Sequence, residues 1–139
     1  MRERLIVSLL SASAAHQKSC WGAFRELDLS PGQPKVLSSL RVQEGYLQKE
    51  LAALCHVEPA TMAVLLANME KKNLIRKEIA HVSGGKRAYR IYLTDIGKEL
   101  AEQVDAAVAL VEEKCFEGFS EEEKRQLTAL LERMTDNLQ

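Results

Sequence analysis

The feature that most constrains this chain is a pair of strand-like runs set between helical patterns. Val57-Glu58-Pro59 opens a helix, because proline fits a first turn whose backbone N–H has no partner anyway. Met62, Leu65, Leu66 and Met69 then recur at spacings of three and four and form one apolar stripe. Asn73 stands where that helix must stop, a residue that tolerates the left-handed conformation. The period then changes. Residues 74–82 carry Leu74, Ile75 and Ile79, and residues 87–93 alternate Tyr89, Ile91 and Leu93 against Arg90 and Tyr92. Ser83-Gly84-Gly85 between them is a hairpin tip. Thr94-Asp95 caps a return to helix, with Leu100, Val104, Val108, Val111 and Cys115 on one face and Gly118 as its end.

The rest of the chain is helical in pattern. Leu5, Leu9, Ala12, His16, Cys20, Phe24 and Leu27 line one face of a helix expected over 5–27. Ser30-Pro31 reads as an N-cap with proline in the first turn, followed by Val36, Leu37 and Leu40. Gly45 breaks the pattern, and a short helix with Leu47, Leu51 and Leu54 inward ends near Cys55-His56. Ser120-Glu121-Glu122-Glu123 is a capping box before the stripe Leu127, Leu130, Leu131, Met134 and Leu138. The expected class is mainly α with a small β-hairpin: four helices, the hairpin, then two helices. The 139 residues show no repeat, low-complexity stretch or dividing linker, so they suit one domain, with or without an oligomerisation arm.

Charge gives the first functional lead. The formal net charge of -1 argues against a nucleic-acid binder, but it conceals a segregation. Residues 71–90 hold seven basic side chains (Lys71, Lys72, Arg76, Lys77, Lys86, Arg87, Arg90) and one acid, Glu78, for a local +6. The remaining 119 residues hold 12 basic and 19 acidic groups. A concentrated +6 is the footprint expected of a polyanion-binding surface.

Two short helices with a tight connection, the second followed by a basic hairpin, compose a winged helix-turn-helix. Its second helix can enter a major groove, and its free N–H groups can meet phosphate. A hairpin bearing Lys86, Arg87 and Arg90 can reach the flanking backbone or minor groove. Over nearly its whole length the chain resembles MarR-family transcriptional regulators. The resemblance lies in Leu29-Ser30-Pro31-Gly32-Gln33 leading to Val36-Leu37, Glu50-Leu51-Ala52, Thr61, and the run from Met69-Glu70-Lys71-Lys72-Asn73 to Leu74-Ile75-Arg76. It continues through Arg87, Leu93-Thr94-Asp95-Ile96-Gly97 and Phe119-Ser120-Glu121-Glu122-Glu123 to Leu127.

The resemblance implies one domain over 1–139, with 29–94 as the winged DNA-binding module and 1–28 and 95–139 as dimerisation helices. It implies a homodimer on a pseudo-palindromic, double-stranded operator, acting as a repressor and modulated by an anionic or aromatic small molecule. The DNA-contacting positions would be Pro59, Ala60, Thr61, Val64, Asn68, Lys86, Arg87 and Arg90. Three departures from the family pattern stand out. Ala63 and Val64 replace polar or basic residues on the recognition helix, with Asn68 where a second basic residue is common. Gly85 replaces the acid that usually sits two residues before the wing arginine, and Leu47 replaces a Ser or Thr cap. DNA affinity is then expected to lean on backbone contacts, with Thr61 and Asn68 as the remaining polar readers.

Other chemistry has thinner support. His16 and Cys20, four apart on one helix face, could form an oxidant or metal sensor, though a packed cysteine beside a satisfied histidine is the plainer expectation. Trp21 and Phe24 are candidates to line an effector pocket or the core. Cys55 is expected to pack, and Cys115 to be buried against a dimer partner. Neither a Gly-rich phosphate loop, a Gly-x-Ser-x-Gly nor an HExxH occurs, so no enzyme, metal or cofactor is expected. A scaffold on which DNA binding has been lost, leaving an interaction adaptor, is the rival from another class. The uncharged run from residue 5 up to Lys18 is too short and polar to span a bilayer and lacks a cleavage pattern. With three widely spaced cysteines, a reducing cytoplasm and no membrane partner are expected.

Overall fold

A computed structural model describes residues 4–139; Met1 to Glu3, the start of the expected domain, lie outside the described residues. The order is α1 (Leu5–Phe24), a 3-10 turn (Arg25–Leu27), α2 (Gln33–Val42), β1 (Tyr46–Leu47), α3 (Gln48–Leu54), α4 (Pro59–Lys71), β2 (Ile75–His81), β3 (Arg87–Leu93), α5 (Asp95–Cys115) and α6 (Glu121–Leu138). Six helices and a three-stranded antiparallel sheet therefore make up the mainly α fold with its hairpin wing.

The core sits in the middle of the chain. Val36, Leu37 and Leu40 of α2, Leu51 of α3, Met62, Leu66 and Met69 of α4, and Ile91 of β3 meet with Val104 of α5, all fully buried. The apolar stripe expected on α4 is buried in full, Leu65 included. Asn73 has φ +60° and ends that helix in the left-handed conformation. Thr94 Oγ1 accepts the Gly97 N–H and its hydroxyl donates to the Asn73 carbonyl, so one side chain caps α5 and ties it to the end of α4. Gly97 is required there, because a Cβ would lie 1.9 Å from the Leu74 carbonyl oxygen. The Ser120 box forms as expected, Ser120 Oγ and Glu123 each accepting the other's N–H.

Four sequence expectations need correction. The first helix ends at Phe24, and residues 25–27 tighten into the 3-10 turn. Ser30 is not the N-cap of α2; Gly32 (φ +93°) takes that place and Pro34, rather than Pro31, lies in the first turn. The buried Gln33 explains the shift, since its side-chain Oε1 accepts the Ser30 N–H at 3.0 Å while its backbone N–H donates to the Ser30 carbonyl. Leu54 points outward and is 47% exposed. Leu47 is half-buried in β1, which pairs with β3 through Tyr46–Ile91 and Leu47–Arg90. With no side-chain oxygen at Leu47, only half a capping box remains, in which the Glu50 carboxylate accepts the Leu47 N–H at 2.7 Å.

The outer helices differ from the core. Burial along α5 is confined to Gly97, Ala101 and Val104, and α6 buries no residue at all. No single helix among the described residues is long and apolar enough to cross a membrane.

Candidate nucleic-acid interface

The axes of α3 and α4 turn by 110° across the four residues between them. That angle suits a helix-turn-helix. The joint is held from α2: Lys35 Nζ donates to the Cys55 carbonyl at 3.2 Å, and Ser39 Oγ lies 3.6 Å from the Cys55 sulfur. His56 takes φ +55° in the turn. Cys55 is buried there, in keeping with its expected packing role.

With Met62, Leu65, Leu66 and Met69 turned inward, α4 presents Pro59, Ala60, Thr61, Ala63, Val64, Ala67 and Asn68 to the outside. Val64 is 61% exposed. This is the full set of recognition-helix positions singled out in the sequence, and they share one open face. The hairpin follows at once. Strand β2 pairs with β3 from Ile75–Leu93 out to His81–Arg87, and the tip turns at Gly84 and Gly85, both at positive φ.

The seven basic side chains of this region are not equivalent. Arg76 pairs with Glu78 and stacks 4.6 Å over the Tyr92 ring. Lys77 lies 3.9 Å from Glu70 and over the Tyr89 ring, and Lys72 donates to the Asp28 carbonyl at 2.8 Å. Arg90, expected to face the ligand, donates to the Gly45 carbonyl at 2.9 Å. Although exposed, it is engaged in fastening the wing to the turn before β1. That leaves Lys71, Lys86 and Arg87, all exposed and without an ion-pair or side-chain hydrogen-bond partner among the described residues. One lies at the end of α4 and two lie at the wing tip. Unpaired cations of this kind keep their charge available to a polyanion.

A link between this module and α5 was not read from the sequence. Asp105 accepts from Ser38 Oγ at 2.7 Å and from Arg41 Nη1 at 2.8 Å, clamping α2 to the middle of α5. Helical periodicity gives no warning of a polar clamp between residues so far apart in the chain.

The sensor candidates are arranged differently. Cys20 Sγ is 3.8 Å from His16 Nδ1, and His16 Nε2 is 4.0 Å from Glu112. Burial pushes the Cys20 thiol up, with Cys115 and Glu112 adding to the effect. A thiol held protonated is a poor nucleophile and metal ligand. No group of three or more His, Cys, Asp or Glu side chains suited to a metal is found among the described residues. Phe24 is a core residue, and Trp21 is 41% exposed. Neither lines the large open cleft of about 1320 Å3 between α1, α5 and α6, which is bounded instead by residues such as Leu9, Ala12, Leu110, Cys115, Leu127 and Leu131. Cys115, expected to be buried against a partner copy, is exposed on that cleft in the single chain.

Known proteins give this geometry a context. Residues 29–82 match the family model described as MarR family. The uncharacterized HTH-type transcriptional regulator YybA of Bacillus subtilis is 28% identical over 116 residues, covering 84% of this chain and 76% of YybA. The crystal structure of the transcriptional regulator PA3341 superposes with a TM-score of 0.85 at 29% identity, covering 97% of this chain and 98% of that one. MepR of Staphylococcus aureus, 26% identical, appears in two forms. The crystal structure of MepR in DNA-binding conformation gives a TM-score of 0.78 (96% and 97% covered), against 0.69 (98% and 99% covered) for another MepR structure. Helix-turn-helix, wing and flanking helices thus recur together in proteins of one kind, and over nearly its whole length this chain is similar to winged helix-turn-helix transcriptional regulators, with the MarR family model matching its residues 29–82.

Proposed function

We propose that the chain is a homodimeric transcriptional repressor that binds a pseudo-palindromic double-stranded operator and releases it in response to a small molecule. The observation that carries the DNA half is the open face of α4 bracketed by Lys71, Lys86 and Arg87, three cations with no partner among the described residues. In this reading residues 29–94 are the DNA-binding module. Helix α4 enters the major groove through Pro59, Ala60, Thr61, Val64 and Asn68, while Lys86 and Arg87 reach the flanking backbone. Arg90 supports the wing from behind. The better superposition on the DNA-binding conformation of MepR supports a module already set for the duplex.

The dimer half rests on apolar surface. An amphipathic 18-residue helix with no buried residue in its own chain gains little there beyond its cap and local ion pairs. Leu127, Leu130 and Leu131 of α6, Leu5, Ile6, Leu9 and Leu10 of α1, and Leu110 of α5 are all at least 40% exposed. A second copy, inserting its own α1 and α6, would cover this surface and close the cleft, making 1–28 and 95–139 the dimerisation arms. Two-fold symmetry then places two α4 helices for half-sites about one helical turn apart.

The effector half has the family resemblance behind it, and Trp21 is its candidate contact. As the sole tryptophan in the chain, Trp21 should report an aromatic carboxylate by a change in fluorescence. A flat titration would remove Trp21 from the ligand site. Sensing through His16 and Cys20 has less behind it, given the protonated, buried thiol. The competing reading is an adaptor that has lost DNA, which the apolar face of α4 favours. Light scattering of the protein mixed with a duplex from its own promoter separates the two. The repressor requires two chains per duplex at physiological salt; free duplex beside unbound protein supports the adaptor.

A further inference from the structure

The exposed side of α4 is distinguished by what it lacks. At roughly 100° per residue, Ala60, Val64, Ala67 and Lys71 fall on one line along the helix, with Ala63 beside it. Thr61 and Asn68 form a second line about a quarter-turn away. All seven are exposed. Four of the first five have no hydrogen-bonding atom in the side chain, so they cannot satisfy the polar edges of guanine or cytosine. Setting them against such edges would leave donors and acceptors without partners. The major groove offers a single apolar group, the C5-methyl of thymine. Small side chains also let the helix axis come close to the groove floor, and Val64, stiff at χ1, presents two fixed methyl groups there. Asn68, one turn further along the helix from Val64, carries an amide able to donate to adenine N7 and accept from N6. The cations Lys71, Lys86 and Arg87 frame this apolar line, which favours a polyanion as its occupant over an uncharged protein surface.

We infer that α4 reads A·T pairs, with Val64, flanked by Ala60 and Ala67, meeting a thymine methyl and Asn68 reading adenine. This rests on the DNA-binding function proposed above and specifies its base chemistry. Positive charge omits the reading face because nothing on that face needs it: phosphates are met by Lys71 and the wing, and bases by methyl contact.

The test uses the full-length protein and a randomised duplex pool. Duplexes retained by the protein are sequenced, and the best is resynthesised with deoxyuridine in place of thymine at each half-site position in turn. Deoxyuridine keeps every hydrogen-bonding group and removes only the methyl. The retained sites should share A·T pairs at fixed half-site positions. Deoxyuridine at the contacted position should weaken binding about fourfold per half-site, as the transfer of one buried methyl implies. Val64→Ala, a change at an exposed position, should reduce that penalty, and Asn68→Ala should relax the adenine preference. Retained sites rich in G·C, affinity indifferent to deoxyuridine at every position, or an undiminished penalty in Val64→Ala would each overturn the inference while leaving DNA binding in place. Recovery of no duplex in a salt-dependent manner would overturn the DNA-binding function and the inference together.

Discussion

Two exposed apolar surfaces stand on opposite terms in this molecule. On α4 the surface is narrow, made of alanines and one valine, and framed by Lys71, Lys86 and Arg87. Across α1, α5 and α6 it is broad and built from leucines, isoleucine and phenylalanine, and its α5 and α6 parts belong to a segment of twelve acids against five bases from Asp95 onward. Hydrophobicity alone would assign both to protein partners. Size and electrostatic frame separate them: large side chains bury the area an obligate dimer needs, whereas small side chains among cations suit a groove lined with phosphate. The acidic half would also be repelled by DNA, which in the proposed dimer would turn the wings towards the duplex.

The broad surface carries the largest expected effect. Placing glutamate at both Leu127 and Leu131, which line the cleft, should leave a species of 15.6 kDa by light scattering where the proposed parent dimer should show twice that mass. Operator affinity should fall by roughly 10²–10⁴, because two linked contacts become one. A dimer that survives both charges would place the interface elsewhere.

Next in size is the joint between the two regions. Gly97→Ala would push a Cβ into the Leu74 carbonyl oxygen where α5 leaves the wing. A backbone atom cannot step aside as a flexible side chain can. The expected cost is about 3 kcal/mol, or roughly 10 °C in Tm, measured by thermal unfolding. A loss under about 1 kcal/mol would mean that the joint is looser than its packing indicates.

The narrow surface should respond more gently. Arg87→Ala removes a wing cation that has no ion pair or side-chain hydrogen bond among the described residues, so binding should weaken by about 1–3 kcal/mol on all sequences alike, with a shallower salt slope. Arg90→Ala makes a useful contrast. It frees the Gly45 carbonyl and loosens the wing, so stability should change along with affinity. Equal behaviour of the two variants would erase the distinction between contact and support.

The smallest effect is chemical. Iodoacetamide should label the exposed Cys115 first in a chain kept monomeric by the glutamate pair, while buried Cys20, its thiol pushed up, and buried Cys55 should lag by an order of magnitude or more. Rapid labelling of Cys20 would reopen the sensor reading.

What the sequence disclosed follows the range of the interactions involved. The buried stripe of α4, the stop at Asn73, the hairpin tip and the caps at Thr94 and Ser120 are all set by neighbours within a turn or two, and they were legible. Less so was the start of α2, where Ser30-Pro31 resembles a cap but the buried Gln33 captures the Ser30 N–H and moves the helix on. Strand β1 has two residues and exists because β3 offers it a ladder more than forty residues later, which no local pattern announces. The role of Arg90 and the Asp105 clamp were hidden for the same reason. At the candidate interface the outward residues of α4 were read correctly as a set. Charge counting could not tell free cations from engaged ones, because that depends on which acid or carbonyl the fold brings near.

The most direct measurement is a binding titration of the full-length protein on a duplex from its own promoter, repeated between 50 and 200 mM salt. A homodimer meeting phosphates through Lys71, Lys86 and Arg87 of each copy should bind with nanomolar affinity near physiological salt and lose about a thousandfold or more across that range. Binding that is no tighter than to unrelated duplexes, or that does not change with salt, would contradict DNA as the ligand of this surface.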